Sequence, residues 1–140
     1  MLFDVSTDFG ARVARRLRDE EHMWLTTVRV DGQPQPTLIW FLWEQDETFL
    51  IYSQPNKQKL RNILQNPKVA LNFNSDALGD DMIIISGEAR IVTDVAAANQ
   101  HPVYLEKYRA GIERIGMTPE TFAPSYSVAL RVTPTKVRGF

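Results

Sequence analysis

The chain has 140 residues, 44% of them hydrophobic, which suits one domain with a buried core and excludes a disordered chain. Its formal net charge is -1, so no global field draws it to nucleic acid, and any anion site has to be local. It has 0 cysteines, which excludes disulfides, thiolate nucleophiles and cysteine-based zinc sites.

Ser6 or Thr7 suits the N-cap of a first helix reaching about Glu20. Phe9, Val13, Ala14 and Leu17 form its apolar stripe, and Arg12, Arg15, Arg16 and Arg18 read as a solvated basic face. From His22 to Val30 the chain is rich in Thr, Val and Trp, as a strand requires. Asp31-Gly32 then signals a hairpin. A second strand is predicted from about Gln35 to Trp43, apolar on both faces from Leu38 onward. That pattern implies cover on both sides, by a core and by a second surface or ligand. EQDE forms the next turn and TFLIYS the third strand.

Leu60, Ile63 and Leu64 then mark a short helix that begins near Lys57, with Asn56 as its expected N-cap. Its opening turns carry Lys57, Lys59 and Arg61 and no acid. A helix N-terminus already presents unpaired N–H groups and about half a positive charge. Three cations there point either to side chains spread into water or to an anion among them, most simply a phosphate.

Asn66-Pro67 ends that helix, because the residue before proline avoids the helical region. KVALNFN is a fourth strand and NSDALGDD a polar, solvated loop. MIIISGEARIVTD is a long fifth strand, with Gly87 marking a bulge or sharp bend. Asp94 is the expected cap of a helix through VAAANQHPVYLEKY, interrupted near Pro102, and a loop with Thr118-Pro119 follows. Val128, Leu130 and Val132 alternate with Ala129, Arg131 and Thr133 in a sixth strand. Six strands with flanking helices and a bend at a glycine suggest a mainly β domain, a small closed or partly closed barrel spanning residues 1–140.

Tyr52-Ser53-Gln54-Pro55-Asn56-Lys57-Gln58-Lys59, followed by Asn66-Pro67 and a strand, resembles the flavin-phosphate segment of the pyridoxamine 5′-phosphate oxidase family. GQPQPTLIWFLW resembles the strand that lies along the flavin ring there. Ile39-Trp40-Phe41, ISGEARIVTD and TPTKVRGF look most like the subgroup that depends on the deazaflavin coenzyme F420. The resemblance implies a six-stranded split β-barrel, paired as a homodimer with the cofactor at the subunit interface. It implies coenzyme F420, with FMN as the alternative. The cofactor-binding residues it implies are Thr37, Leu38, Ile39, Trp40, Ser53, Gln54, Lys57, Lys59, Arg61 and Met82. Lys59 matches the family's phosphate-binding lysine. Gln58 stands where the oxidase has arginine, and Met82 where it has a glutamine near the ring. The oxidase's arginine and histidine pattern for the substrate phosphate is not recognisable, which argues against vitamin B6 oxidation. Trp40 is read either as packing in the core or at the dimer interface, or as a contact to the ring.

No acid–base or nucleophile constellation competes with this reading. The two histidines, His22 and His101, read as surface or partly exposed residues, and no G-x-S-x-G turn is present. Asp76, Asp80 and Asp81 lack EF-hand spacing, and neither GxGxxG nor a Walker motif appears. No catalytic residue is therefore assigned, as suits hydride transfer in which the cofactor carries the chemistry. The expectation is an oxidoreductase moving a hydride between reduced deazaflavin and an unsaturated organic substrate. The alternatives are an FMN oxidoreductase of the same fold and a non-enzymatic flavin or haem carrier, with His22 and His101 as possible axial ligands. The start shows no signal peptide and no apolar run spans a bilayer, so a cytoplasmic location is expected, with no membrane partner.

Overall fold

The computed structural model describes residues 2–140. Helix α1 runs Asp8–Asp19; the Thr7 hydroxyl caps it by accepting from the Gly10 N–H, and Val13 and Leu17 face the core. Strand β1 (His22–Val28) alternates, burying Met23, Leu25 and Thr27. It stops before Val30, because the turn closes early: the Arg29 N–H donates to the Gln33 carbonyl and Gly32 takes a φ of 89°. Val30 is left exposed in the loop.

The single strand expected from Gln35 to Trp43 is two strands, β2 (Pro34–Trp40) and β3 (Leu42–Trp43), broken at Phe41. With β4 (Phe49–Ser53), β5 (Lys68–Asn72), β6 (Ile83–Val92) and β7 (Val128–Gly139), the sheet has seven strands rather than six. Their order is β2-β1-β5-β6-β7-β4-β3. β2 and β3 thus lie at opposite edges of the sheet, yet only Phe41 separates them in sequence. The sheet has to curl until its edges meet at that residue, and this is how a half-barrel forms here. Gly87 supplies the expected irregularity: the register slips between Ser86 and Gly87, and a side chain at Gly87 would sit 2.7 Å from the Thr133 carbonyl.

Helix α2 (Gln58–Gln65) follows β4. The region after β6 departs further from expectation. Asp94 caps no helix; a 3-10 turn at Ala98–Gln100 leads to helix α3 (Pro102–Arg114), capped by the His101 ring, which accepts from the Tyr104 N–H. The expected loop at Thr118-Pro119 is helix α4 (Pro119–Ser125), opened by a capping box between Thr118 and Thr121.

Two cores result. Ile39, Phe41, Phe49, Ile51, Leu71, Ile85 and Leu130 fill the inside of the sheet, closed by α1 and α2. Leu42, Leu50, Tyr52 and Ala129 point outward beneath Tyr104, Tyr108, Ile112 and Phe122 of α3 and α4. At Trp40 and Leu42 the second surface expected against LIWFLW is therefore supplied by the chain's own helices, while Leu38 stays exposed.

The basic face of α1 is not all solvated. Arg12 pairs with Asp81 and donates to the Phe140 carbonyl at 2.8 Å. Arg16 pairs with Asp81 at 3.2 Å and Glu20 at 2.7 Å, over the Phe73 ring. Asp81 is thus an anchor for α1 rather than part of a solvated loop; Arg15 and Arg18 stay exposed.

Phe41 leaves the ladder, so its backbone groups need other partners. Both come from α3. The Phe41 N–H donates to the Tyr108 hydroxyl at 2.8 Å, and Lys107 Nζ donates to the Phe41 carbonyl at 3.0 Å. Lys107 Nζ also lies 3.9 Å from the Phe41 ring centroid. Burial pushes the Lys107 amine down to about 8, against the pull of Glu21, Asp19 and Glu20. Its folded value lies below the unfolded value, so the unfolded chain holds more protons between the two, and stability rises with pH from about 8 to about 10.4. The side chain is partly open to solvent, so the effect is on the order of 1 kcal/mol. Lys107→Met removes it: its melting temperature relative to wild type should fall further behind at pH 9.5 than at pH 7. A constant difference would show that Lys107 titrates alike in both states.

Candidate functional site

β3 pairs with β4 only at Phe49 and Leu50. Beyond Leu50 one edge of β4 is open, and β2 has β1 as its sole neighbour in the sheet. The barrel is therefore split between β2 and the far end of β4. A cavity of about 280 Å³ lies at this split. Its floor and sides come from Leu38, Ile39 and Trp40 of β2 and from Tyr52, Ser53 and Gln54 at the end of β4. Lys57 and Lys59 stand at one end, and Tyr104, Ile115, Phe122 and Tyr126 wall the other side.

The cationic end is built by α2. Asn56, the expected N-cap, is not the cap; it sits at φ 63°, a left-handed conformation that asparagine tolerates. Lys57 is the N-cap, and no side chain caps the helix. The first turn thus presents N–H groups that the helix itself cannot pair, with no acidic residue nearby to offset their dipole. Lys59 is half-buried, and its amine is pushed below its usual value, first by burial and then by the charge of Lys57. Uncompensated positive charge beside open N–H groups is the donor set a phosphate fits.

A polar network fixes the pitch of this helix. Asn62 is 2% exposed; its amide donates to Thr27 Oγ1 at 2.9 Å and to Gln35 Oε1 at 3.0 Å. Gln58 Nε2 donates to Asn62 Oδ1 at 2.8 Å, and Arg61 Nη2 donates to Gln58 Oε1 at 2.7 Å. α2 is thus tied to β1 and β2 by hydrogen bonds that survive only in one orientation.

The apolar side is aromatic. Trp40 stacks on Tyr108 at 4.8 Å and on Phe122 at 5.8 Å, with interplanar angles of 6° and 16°. Gly111 makes room for it: a Cβ there would lie 3.1 Å from the Trp40 ring. Burial raises the phenol of Tyr52 to about 12, with Glu44 adding to the shift, and its hydroxyl donates to the Ala96 carbonyl at 2.6 Å.

Of the residues singled out from sequence, Leu38, Ile39, Trp40, Ser53, Gln54, Lys57 and Lys59 come together around the cavity. Thr37 precedes them on β2 but does not line it. Arg61 turns back onto Asn56 and Gln58, and Met82 lies just before β6, where its carbonyl accepts from the Phe140 N–H. Tyr104, Ile115, Phe122 and Tyr126 were not singled out. The segment at Thr118-Pro119 was expected as a loop, so α4 was missed, and the aromatics around it carry no mark of a site in sequence. His101 is 3.4 Å from Glu44 and absent from the cavity lining, as is His22. Among the described residues no cluster of side chains could hold a metal ion, and no helix is long and apolar enough to cross a membrane.

Solved structures share this architecture. An F420 reductase is 26% identical, over 89% of this chain and 94% of that one, with a TM-score of 0.64. General Stress Protein 26 from Bacillus anthracis is 21% identical, over 91% and 89%, with a TM-score of 0.67. HutZ, the haem storage protein from Vibrio cholerae, is 15% identical, over 95% and 95%, with a TM-score of 0.65. The last two show likeness of fold alone. A search among curated proteins gives no match. The sequence profile described as pyridoxamine 5′-phosphate oxidase matches residues 9–140, nearly the whole chain, so the split sheet, its cavity and its cationic helix are those of a member of the pyridoxamine 5′-phosphate oxidase family.

Proposed function

We propose that the protein is an F420-dependent oxidoreductase that moves a hydride between the reduced deazaflavin and an unsaturated organic substrate. The observation that carries this reading is the uncapped, acid-free start of α2, with Lys57 and Lys59, opening directly onto an aromatic cavity. The similarity to an F420 reductase supports the choice of deazaflavin over FMN. Haem fits less well, since the lining contains no histidine.

When bound, the deazaflavin supplies the hydride chemistry. Lys57, Lys59 and the first N–H groups of α2 hold its phosphate. The free edge of β2, whose Leu38 and Ile39 line the cavity, offers backbone groups to the polar rim of a flat ring. The aromatic wall excludes water. At about 280 Å³ the cavity is smaller than the ~300–1,000 Å³ usual for such ligands. A second copy of the chain, seated on the exposed Leu38 and Ile115, completes it as a homodimer.

Purified from a host that makes FMN but no deazaflavin, the protein should be colourless. It should bind added F420 with an affinity that falls as salt rises, and sediment as a dimer. Lys59→Ala should weaken F420 binding by about 1.5–3 kcal/mol, the worth of a charge-assisted contact. It should leave the apoprotein as stable or slightly more so, because a half-buried cation without an acidic partner is removed. A yellow protein holding stoichiometric FMN that F420 cannot displace would reverse the cofactor, and a monomer would leave the cavity incomplete.

A further inference from the structure

The hydroxyl of Tyr104 is the one buried side-chain polar atom among the described residues without a hydrogen-bond partner. Tyr104 is 0% exposed, yet its ring belongs to the wall of the cavity at the split. Native proteins rarely bury a hydroxyl unpaired, because it loses water and gains nothing. The neighbouring phenols do not relieve it: the Tyr52 hydroxyl donates to Ala96, and the Tyr108 hydroxyl is held among Phe41 and Glu21. A trapped water would need two to four polar partners, and the surroundings are the rings of Tyr52, Tyr108 and Phe122.

We infer that the Tyr104 hydroxyl is a binding group for the ligand of this cavity, donating a hydrogen bond to a carbonyl oxygen or ring nitrogen on a flat aromatic molecule. The wall fits that class. Trp40 and Phe122 lie nearly parallel, Phe122 stacks on Tyr126 at 4.3 Å and 11°, and all three line the space, so a run of stacked aromatic rings borders it. The direction of the bond follows from burial, which raises the Tyr104 phenol far above its usual range and keeps it protonated. The acceptor belongs either to the cofactor ring or to the substrate; the inference rests on the cavity being the ligand site and deepens the reading above.

Quinoline and naphthalene are probes of one shape that differ in a ring nitrogen. Binding of each to wild type and Tyr104→Phe at pH 8 is followed by NMR titration. The quinoline-to-naphthalene affinity ratio should fall about threefold to tenfold in Tyr104→Phe, the worth of one hydrogen bond. The melting temperature should be no lower than wild type, since no internal bond is lost. An unchanged ratio, or no binding of either probe to wild type, overturns the inference. F420 titration separates the sources: a parallel loss of F420 affinity assigns the acceptor to the cofactor ring, and unchanged F420 affinity assigns it to the substrate. A wild type that shows the ratio effect but does not bind F420 sinks the cofactor reading while the role of Tyr104 stands.

Discussion

Trp40→Ala should lower stability by about 2–4 kcal/mol, somewhat less than the ~3–5 kcal/mol typical for a wholly buried tryptophan, because part of the ring borders the cavity. The loss comes from two stacked contacts, with Tyr108 and Phe122, that tie β2 to α3 and α4. Gly111 has been fitted to the indole edge, so the neighbouring helix cannot fill the gap with a side chain of its own. Trp40→Phe should lose only about half as much stability as Trp40→Ala, since a smaller ring can still stack. Urea denaturation measures both. If Trp40 were only a contact to a bound ring, Trp40→Ala would unfold at the wild-type midpoint and lose ligand affinity alone.

Asn62→Ala is expected to cost about 2–4 kcal/mol, a fall of roughly 10 °C in melting temperature for a chain of this size. It strands Thr27 Oγ1, itself 1% exposed, together with the Gln35 and Gln58 side chains. It also frees α2 to tilt, so phosphate-ligand affinity should drop although Asn62 touches no ligand. Asn62→Asp keeps the size but replaces both N–H donors, and it should lose most of the same energy. Unchanged thermal stability in Asn62→Ala would mean that the network is incidental to holding α2.

The strands, the position of α2 and the bulge at Gly87 were legible in the sequence because their causes are local, whereas the cavity-floor residues Leu38, Ile39, Trp40, Ser53 and Gln54 were named only through the family resemblance. Alternation, a turn dipeptide, a proline and an acid-free cationic helix start each act within a few residues. The break at Phe41 was not legible, because nothing near it breaks strands. Its backbone leaves the ladder because Lys107 and Tyr108, far along the chain, satisfy it better. Arg12 and Arg16 read as solvent-facing because their partner Asp81 sits in a loop whose composition says only that it is polar. The aromatic side of the cavity was hidden for the same reason. Tyr104 looks like ordinary helix core, and Phe122 falls in an expected loop, until α3 and α4 are folded across the split.

The sheet order carries a kinetic consequence. β4 is made early, but its long partner is β7, near the other end of the chain, and β7 pairs with β6 as well. Until β7 arrives, β4 keeps an open edge and both of its apolar faces lack cover. The β3–β4 hairpin therefore has to wait for the last strand. Pairing at such sequence distance is reached slowly, in the millisecond-to-second range for β-rich domains. Stopped-flow refolding followed at the aromatic cluster should report β7 docking as the late step, and a microsecond relaxation would contradict it. A waiting edge is also a place where two newly made chains can pair wrongly, so synthesis at high concentration exposes this fold to aggregation before its closing strand exists.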